Sequence, residues 1–310
     1  MKYYSTFIIF LAFSIQNLFA QQEDTILLAT GNGIISGSLL VPQSHKNMPV
    51  ALIISGSGPT DRNGNNMMMT NNALLLLAHG LAENGIASLR YDKRGVGESK
   101  EAIVQESNLR FNTYVEDALA WVKLLSTDKR FGNIVIIGHS EGSLIGMIVA
   151  REKAVSKFIS LAGAGRPAIE ILREQLGNQP PIVMEKAEPI LQKLEQGETV
   201  NDVPVGLYAL FRPSVQPYLI SWFKLDPRIE IAKLNKPVLI VQGTTDIQVS
   251  LIDADNLAKA NPKAQKVVID GMNHILKPAE NDRQNNIATY NQPDLPLAAG
   301  LINKMVSFIK

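Results

Sequence analysis

Short apolar runs rich in β-branched residues alternate along this chain with stretches whose apolar positions recur every three or four residues. Runs of the first kind, at residues 49–54, 133–137, 157–162, 237–243 and 265–269, predict strands. Helices are predicted over 72–84, from Thr113 onward, and over 143–150, 250–260 and 297–310. The helix from Thr113 shows the logic: Thr113 and Glu116 stand at capping-box spacing, and Val115, Ala118, Leu119, Val122 and Leu125 then fall on one face. Residues 25–41, with Gly31-Asn32-Gly33 at their middle, read as a hairpin that opens the sheet. Strand and helix alternating in this way predict an α/β protein, a mostly parallel doubly wound sheet covered on both faces.

The alternation is interrupted over about 167–230, where helical pieces are broken by Pro180-Pro181, Pro189, Pro204, Pro213 and Pro217. This insertion supplies Leu207, Tyr208, Phe211, Tyr218, Trp222 and Phe223. Phe211, Tyr218, Trp222 and Phe223 are the expected substrate-binding surface; packing of the insertion onto the main domain is the alternative for any one of them. With 310 residues and 45% hydrophobic composition, the chain suffices for one large domain over 21–310 that includes the insertion.

Candidate chemistry starts at Gly138-His139-Ser140-Glu141-Gly142, which follows one predicted strand and precedes a helix. That setting is the one a G-x-S-x-G turn needs to hold a serine hydroxyl clear of a sheet edge, so Ser140 is the expected nucleophile. A serine needs a base, and the base needs an orienting group. Of the four histidines, His45 falls in a polar loop, His79 in a helical stretch, and His139 beside the serine with its side chain pointing away. His274 lies in a loop just past a strand and is the expected base. Asp246 directly follows the strand at 237–243 and is the expected acid, whereas Asp253 and Asp255 sit in a helix where acids are ordinarily solvated. The backbone N–H groups of Glu141 and Ser57 are the expected oxyanion donors, the latter on the loop Ser55-Gly56-Ser57-Gly58-Pro59-Thr60-Asp61-Arg62-Asn63-Gly64-Asn65. A dinucleotide loop is disfavoured there, because Asp61 stands at the third glycine position and no Gly-Lys-Ser/Thr follows.

On these residues the chain resembles the α/β-hydrolase superfamily from about Ile26 to Lys310. The likeness is carried by GHSEG at 138–142, by Leu89-Arg90-Tyr91-Asp92-Lys93-Arg94-Gly95-Val96-Gly97-Glu98-Ser99, and by the Asp246 and His274 loops. The SGSGPTDRNGN loop is similar to that of small bacterial carboxylesterases, with Ser55-Gly56 where many relatives carry His-Gly. The resemblance implies a helical cap over the nucleophile and an esterase acting on small or medium acyl groups through an acyl-enzyme, with a small-molecule ester as its partner. Proline-specific relatives usually carry tryptophan after the serine, and Glu141 departs from that pattern. A peptidase holding a substrate amine on Glu170, Glu174, Glu185 or Glu188, a thioesterase, and a non-catalytic binding module are the rival readings. Asp92 and Arg94 are expected to brace their loop against each other.

Lys2, the apolar stretch 7–13 and a small-residue exit at Ala20 have the form of a secretory signal over 1–20. Gln16 and Asn17 interrupt it too early for a membrane span. A periplasmic or secreted enzyme without a stable membrane anchor is therefore expected. The chain has no cysteine, which excludes disulfides and a thiol-linked lipid, and its formal charge of +1 gives no basic signal for nucleic acid. No metal-ligand spacing is present, and neither a cofactor nor a metal is expected; oligomeric state is not encoded.

Overall fold

The computed structural model describes residues 22–42 and 47–310. The leader expected over 1–20 and His45 lie outside the described residues. Eight strands form one sheet in the order β1-β2-β4-β3-β5-β6-β7-β8. They are β1 (Gln22–Thr30), β2 (Gly33–Val41), β3 (Met48–Ile54), β4 (Ala87–Tyr91), β5 (Phe131–His139), β6 (Val155–Leu161), β7 (Val238–Gly243) and β8 (Gln265–Ile269). The hairpin β1–β2 closes at Thr30 opposite Gly33, β2 is antiparallel to β4, and every later pairing is parallel.

Eleven helices are described: α1 (Ala73–Glu83), α2 (Phe111–Thr127), α3 (Glu141–Val149), α4 (Ala168–Gly177), α5 (Pro181–Glu195), α6 (Tyr208–Phe211), α7 (Gln216–Phe223), α8 (Pro227–Ala232), α9 (Leu251–Ala260), α10 (Arg283–Ala288) and α11 (Leu301–Ile309). The two-residue period of the central strands sorts the core into two layers. Val50, Leu52, Ile54, Ile134 and Ile136 pack with α2, α3 and α9 on one face. Ala51, Ile53, Val135 and Ile137 pack with α1 and α11 on the other. None of the described helices is long and apolar enough to cross a membrane.

Several boundaries differ from the sequence reading. Helix α2 starts at Phe111, two residues early, and Thr113 caps it by accepting the Arg110 N–H (3.3 Å), so the expected Thr113–Glu116 box is not the cap. Pro189 lies inside α5, where buried Ala187, Ile190, Leu191 and Leu194 hold the helix together across an exposed proline. Asp253 is not solvated: fully buried, it receives Arg166 (2.9 Å) and the Gly165 N–H (3.1 Å), tying the chain after β6 to α9. Hydrogen bonding to Asp253 outweighs partial burial and raises the affinity of the Arg166 guanidinium for its proton. Helices α4 to α8 all lie between β6 and β7 and carry the apolar surface that closes over the C-terminal end of β5.

Candidate active site

Ser140 stands between β5 and α3 with φ 55° and ψ −122°, a backbone conformation that non-glycine residues rarely adopt. Two glycines make the turn feasible by close approach. A Cβ on Gly138 would meet the Gly142 carbonyl oxygen at 2.2 Å, and one on Gly142 would meet the Ile54 carbonyl oxygen at 2.3 Å. The Ser140 N–H donates to the Leu161 carbonyl (3.0 Å), anchoring the strained residue to the end of β6.

The structure brings the three expected side chains together. Ser140 Oγ lies 3.0 Å from His274 Nε2, and His274 Nδ1 lies 2.8 Å from Asp246 Oδ2. Asp246 is held in turn, its Oδ1 accepting the Gln248 and Val249 N–H groups (2.8 and 3.0 Å) and its Oδ2 accepting Gln242 Nε2 (2.9 Å). Burial pushes the Asp246 carboxyl up, but His274 and the two amides outweigh it and hold it below the ordinary aspartate value. An ionised Asp246 accepts the Nδ1 proton, which leaves Nε2 as the acceptor facing the serine hydroxyl.

His139 is a participant that the sequence reading passed over. Its Nε2 lies 2.8 Å from the His274 carbonyl oxygen, and the two rings are 5.1 Å apart. Burial, then the neighbouring His274, lowers the His139 imidazole to about 4. It is therefore neutral, and facing a carbonyl it must carry its proton on Nε2 and donate it. The available signal was a histidine at the very end of the strand that leads into Ser140.

The loop after β3 packs against the elbow: a Cβ on Gly56 would stand 3.1 Å from Ser140 Cβ and 3.6 Å from Oγ. Ser57 follows directly and lines the cavity above Ser140. As the first residue of α3, Glu141 has an N–H with no acceptor inside its own helix. Asp92 and Arg94 do not brace each other. Asp92 accepts the Arg62 N–H and Nη2 (both 2.7 Å) and the Glu98 N–H (2.9 Å), whereas Arg94 pairs with buried Asp117 on α2. Both pairings fix the loops around the site.

A cavity of about 580 Å³ opens on Ser140 and has mostly apolar walls, among them Leu144, Ile171, Leu210, Leu219 and Trp222. Tyr218 and Trp222 line it as expected. Phe211 and Phe223 do not, because Phe211 is fully buried in the core under the insertion and Phe223 packs against that core. Leu207 is likewise buried and Tyr208 faces solvent. The Tyr218 hydroxyl and Glu141 Oε2 are buried without a hydrogen-bond partner. Burial, then Glu141 and Tyr114, pushes the Tyr218 phenol well up, so it stays a donor. None of Glu170, Glu174, Glu185 and Glu188 lines the cavity. Glu174 and Glu188 pair with Arg166 and Arg173, Glu170 lies 3.7 Å from Arg228, and Glu185 is exposed. Among the described residues no group of three or more acidic or histidine side chains is gathered to hold a metal ion.

Comparison with known proteins agrees with this architecture. The family described as serine aminopeptidase, S33, matches residues 67–204. Esterase EstD of Thermotoga maritima is 28% identical over 255 residues, which cover 80% of this chain. The matched part spans 59% of the length of that curated relative. Est1E from Butyrivibrio proteoclasticus, solved with ferulic acid bound, superposes with a TM-score of 0.63 at 18% identity, covering 92% of this chain and 96% of its own. The Pyrococcus furiosus esterase Pf2001 gives 0.56 at 16% identity, covering 83% and 84%. The α/β hydrolase GrgF from a Penicillium species gives 0.61 at 17% identity, covering 93% and 98%. Sheet order, elbow and likeness to these structures together identify the fold of this chain as the α/β-hydrolase fold.

Proposed function

We propose that this protein is a serine hydrolase of carboxylic esters with small or medium acyl groups. The observation that carries this reading is the continuous relay from Asp246 through His274 to Ser140 Oγ, at 2.8 and 3.0 Å, opening into an apolar cavity. Ser140 Oγ attacks the ester carbonyl carbon while His274 Nε2 takes its proton, and Asp246 stabilises the imidazolium that results. The carbonyl electron pair moves onto oxygen, where the Ser57 and Glu141 N–H groups receive it. Collapse expels the alcohol, which takes the proton back from His274 and leaves the acyl group on Ser140. Water then repeats the cycle and releases the acid.

The match to a family described as aminopeptidase raises a peptidase as the second reading. An aminopeptidase must hold a substrate ammonium, and the acidic residues of the insertion are engaged with arginines or exposed outside the cavity. The esterase names of the relatives favour the ester substrate. The charged, apolar and small-residue pattern over 1–20 supports an exported enzyme.

The test is turnover of p-nitrophenyl acyl esters beside aminoacyl anilides. Ester hydrolysis is expected, with Ser140→Ala lowering kcat by about 10⁶-fold. Ready anilide cleavage with poor ester turnover would replace this reading with the peptidase.

A further inference from the structure

We infer that Lys93 is a positioning residue that sets the oxyanion donors by gripping both halves of the hole through one buried ammonium. This rests on the serine-hydrolase reading and extends it to a residue outside the relay. Lys93 Nζ donates to the Gly56 carbonyl oxygen at 2.5 Å and to Glu141 Oε1 at 3.0 Å. Both side chains of that ion pair are almost fully buried, with 3% and 2% of their surface exposed. The Tyr114 ring lies 4.8 Å below the ammonium.

The two contacts coincide with the two expected donors. The Gly56 carbonyl and the Ser57 N–H belong to one peptide unit, and none of the described peptide bonds is cis. In a trans peptide the C=O and N–H point in opposite directions, so an ammonium fixed on the carbonyl fixes the direction of the N–H. The same cation polarises the unit and makes its N–H a stronger donor. The other contact is the side chain of Glu141, whose own backbone N–H is the second donor. Lys93 is itself fixed because its neighbour Asp92 is anchored by Arg62 and the Glu98 N–H. One side chain from the loop after β4 thus ties the loop after β3 to the first residue of α3.

The test uses the double variant Lys93→Met/Glu141→Gln, which removes both charges of the buried pair together, beside wild type and Lys93→Met. Each protein is treated with an alkyl trifluoromethyl ketone carrying ¹³C at the carbonyl. Ser140 Oγ adds to that carbon, its proton passes to His274, and the carbonyl electron pair becomes the hemiketal oxyanion. The ¹³C shift followed against pH gives the pKa of that hemiketal. In the folded variants it is expected to rise by about one unit or more, with kcat on esters down about 10- to 100-fold and KM little changed. A purely structural ion pair would lower the melting temperature and leave the hemiketal pKa where it was. An unchanged pKa and kcat in either folded variant would overturn the proposal while leaving the hydrolase reading intact. If wild type formed no hemiketal, the hydrolase reading itself would fall, and this proposal with it. Should neither variant fold, Lys93→Arg, which keeps the charge and moves its donors, is read in the same way: a raised hemiketal pKa with lowered kcat supports the assignment, and no change in either overturns it.

Discussion

Each of the three proposed catalytic side chains is held by a group that limits what it can do. Asp246 has its second oxygen occupied by two backbone amides, so only one faces the imidazole. Asp246→Asn would present an amide that favours the wrong tautomer of His274, and kcat should fall by about 10⁴-fold while substrate affinity is little changed. Steady-state kinetics on p-nitrophenyl esters check this. His139 brings a stability effect with a definite sign. Its folded imidazole titrates at about 4, below the ordinary 6.5, so below pH 6.5 the unfolded chain takes up a proton that the folded one refuses. Its contribution is therefore full above pH 6.5 and is lost as the pH falls towards 4, a loss of at most about 3 kcal/mol, because the residue is only partly buried. Urea titrations at pH 7.5 and 4.5 should show that loss, and His139→Phe should reduce it. The convergence of Ser140, His274 and Asp246 was legible in the sequence because each stands in a loop just past a strand and the elbow carries its own glycine pattern. The contacts of His139 and Lys93 with main-chain carbonyls 135 and 37 residues away were not, because a carbonyl leaves no mark in the residue code.

Strands were more legible than helix ends. The apolar runs announce β3 and β5 to β8 within one or two residues; the side chains of β3 and β5 to β7 meet helices on both faces, whereas β8, at the sheet edge, buries only Ile269. Helix starts depend on local capping, and Arg110, whose N–H is received by Thr113 two positions into the helix, is no conventional cap residue. The expectation that Pro189 breaks its helix failed for a tertiary reason, since apolar contacts on the buried side of α5 outweigh one missing hydrogen bond on the exposed side. The elbow tolerates little change. Gly142→Ala sets a methyl group against the Ile54 carbonyl, which rigid backbone must move to relieve. A loss of at least about 3 kcal/mol in urea unfolding is expected, against under 1 kcal/mol for Gly177→Ala, where nothing lies within 4 Å.

At the scale of the whole molecule, the sheet delivers Ser140, Asp246 and His274 to one rim, and the helices between β6 and β7 roof that rim with apolar side chains. The existence of that roof could be read from the sequence, but the members of its lining could not: aromatic residues of the same kind either face the cavity, as Tyr218 and Trp222 do, or fill the core above it, as Phe211 does. Trp222→Ala should accordingly lower kcat/KM several-fold more for a hexanoyl than for an acetyl ester, because only the longer chain reaches the removed surface; a panel of p-nitrophenyl esters measures this. The convergence of Ser140, His274 and Asp246 is tested most directly by treating the purified protein with a fluorophosphonate and mapping the adduct by mass spectrometry. One adduct on Ser140, absent after heat denaturation and strongly slowed in His274→Ala, is the expected result. A folded protein that stays unlabelled, or is labelled at another residue with Ser140 untouched, would contradict it.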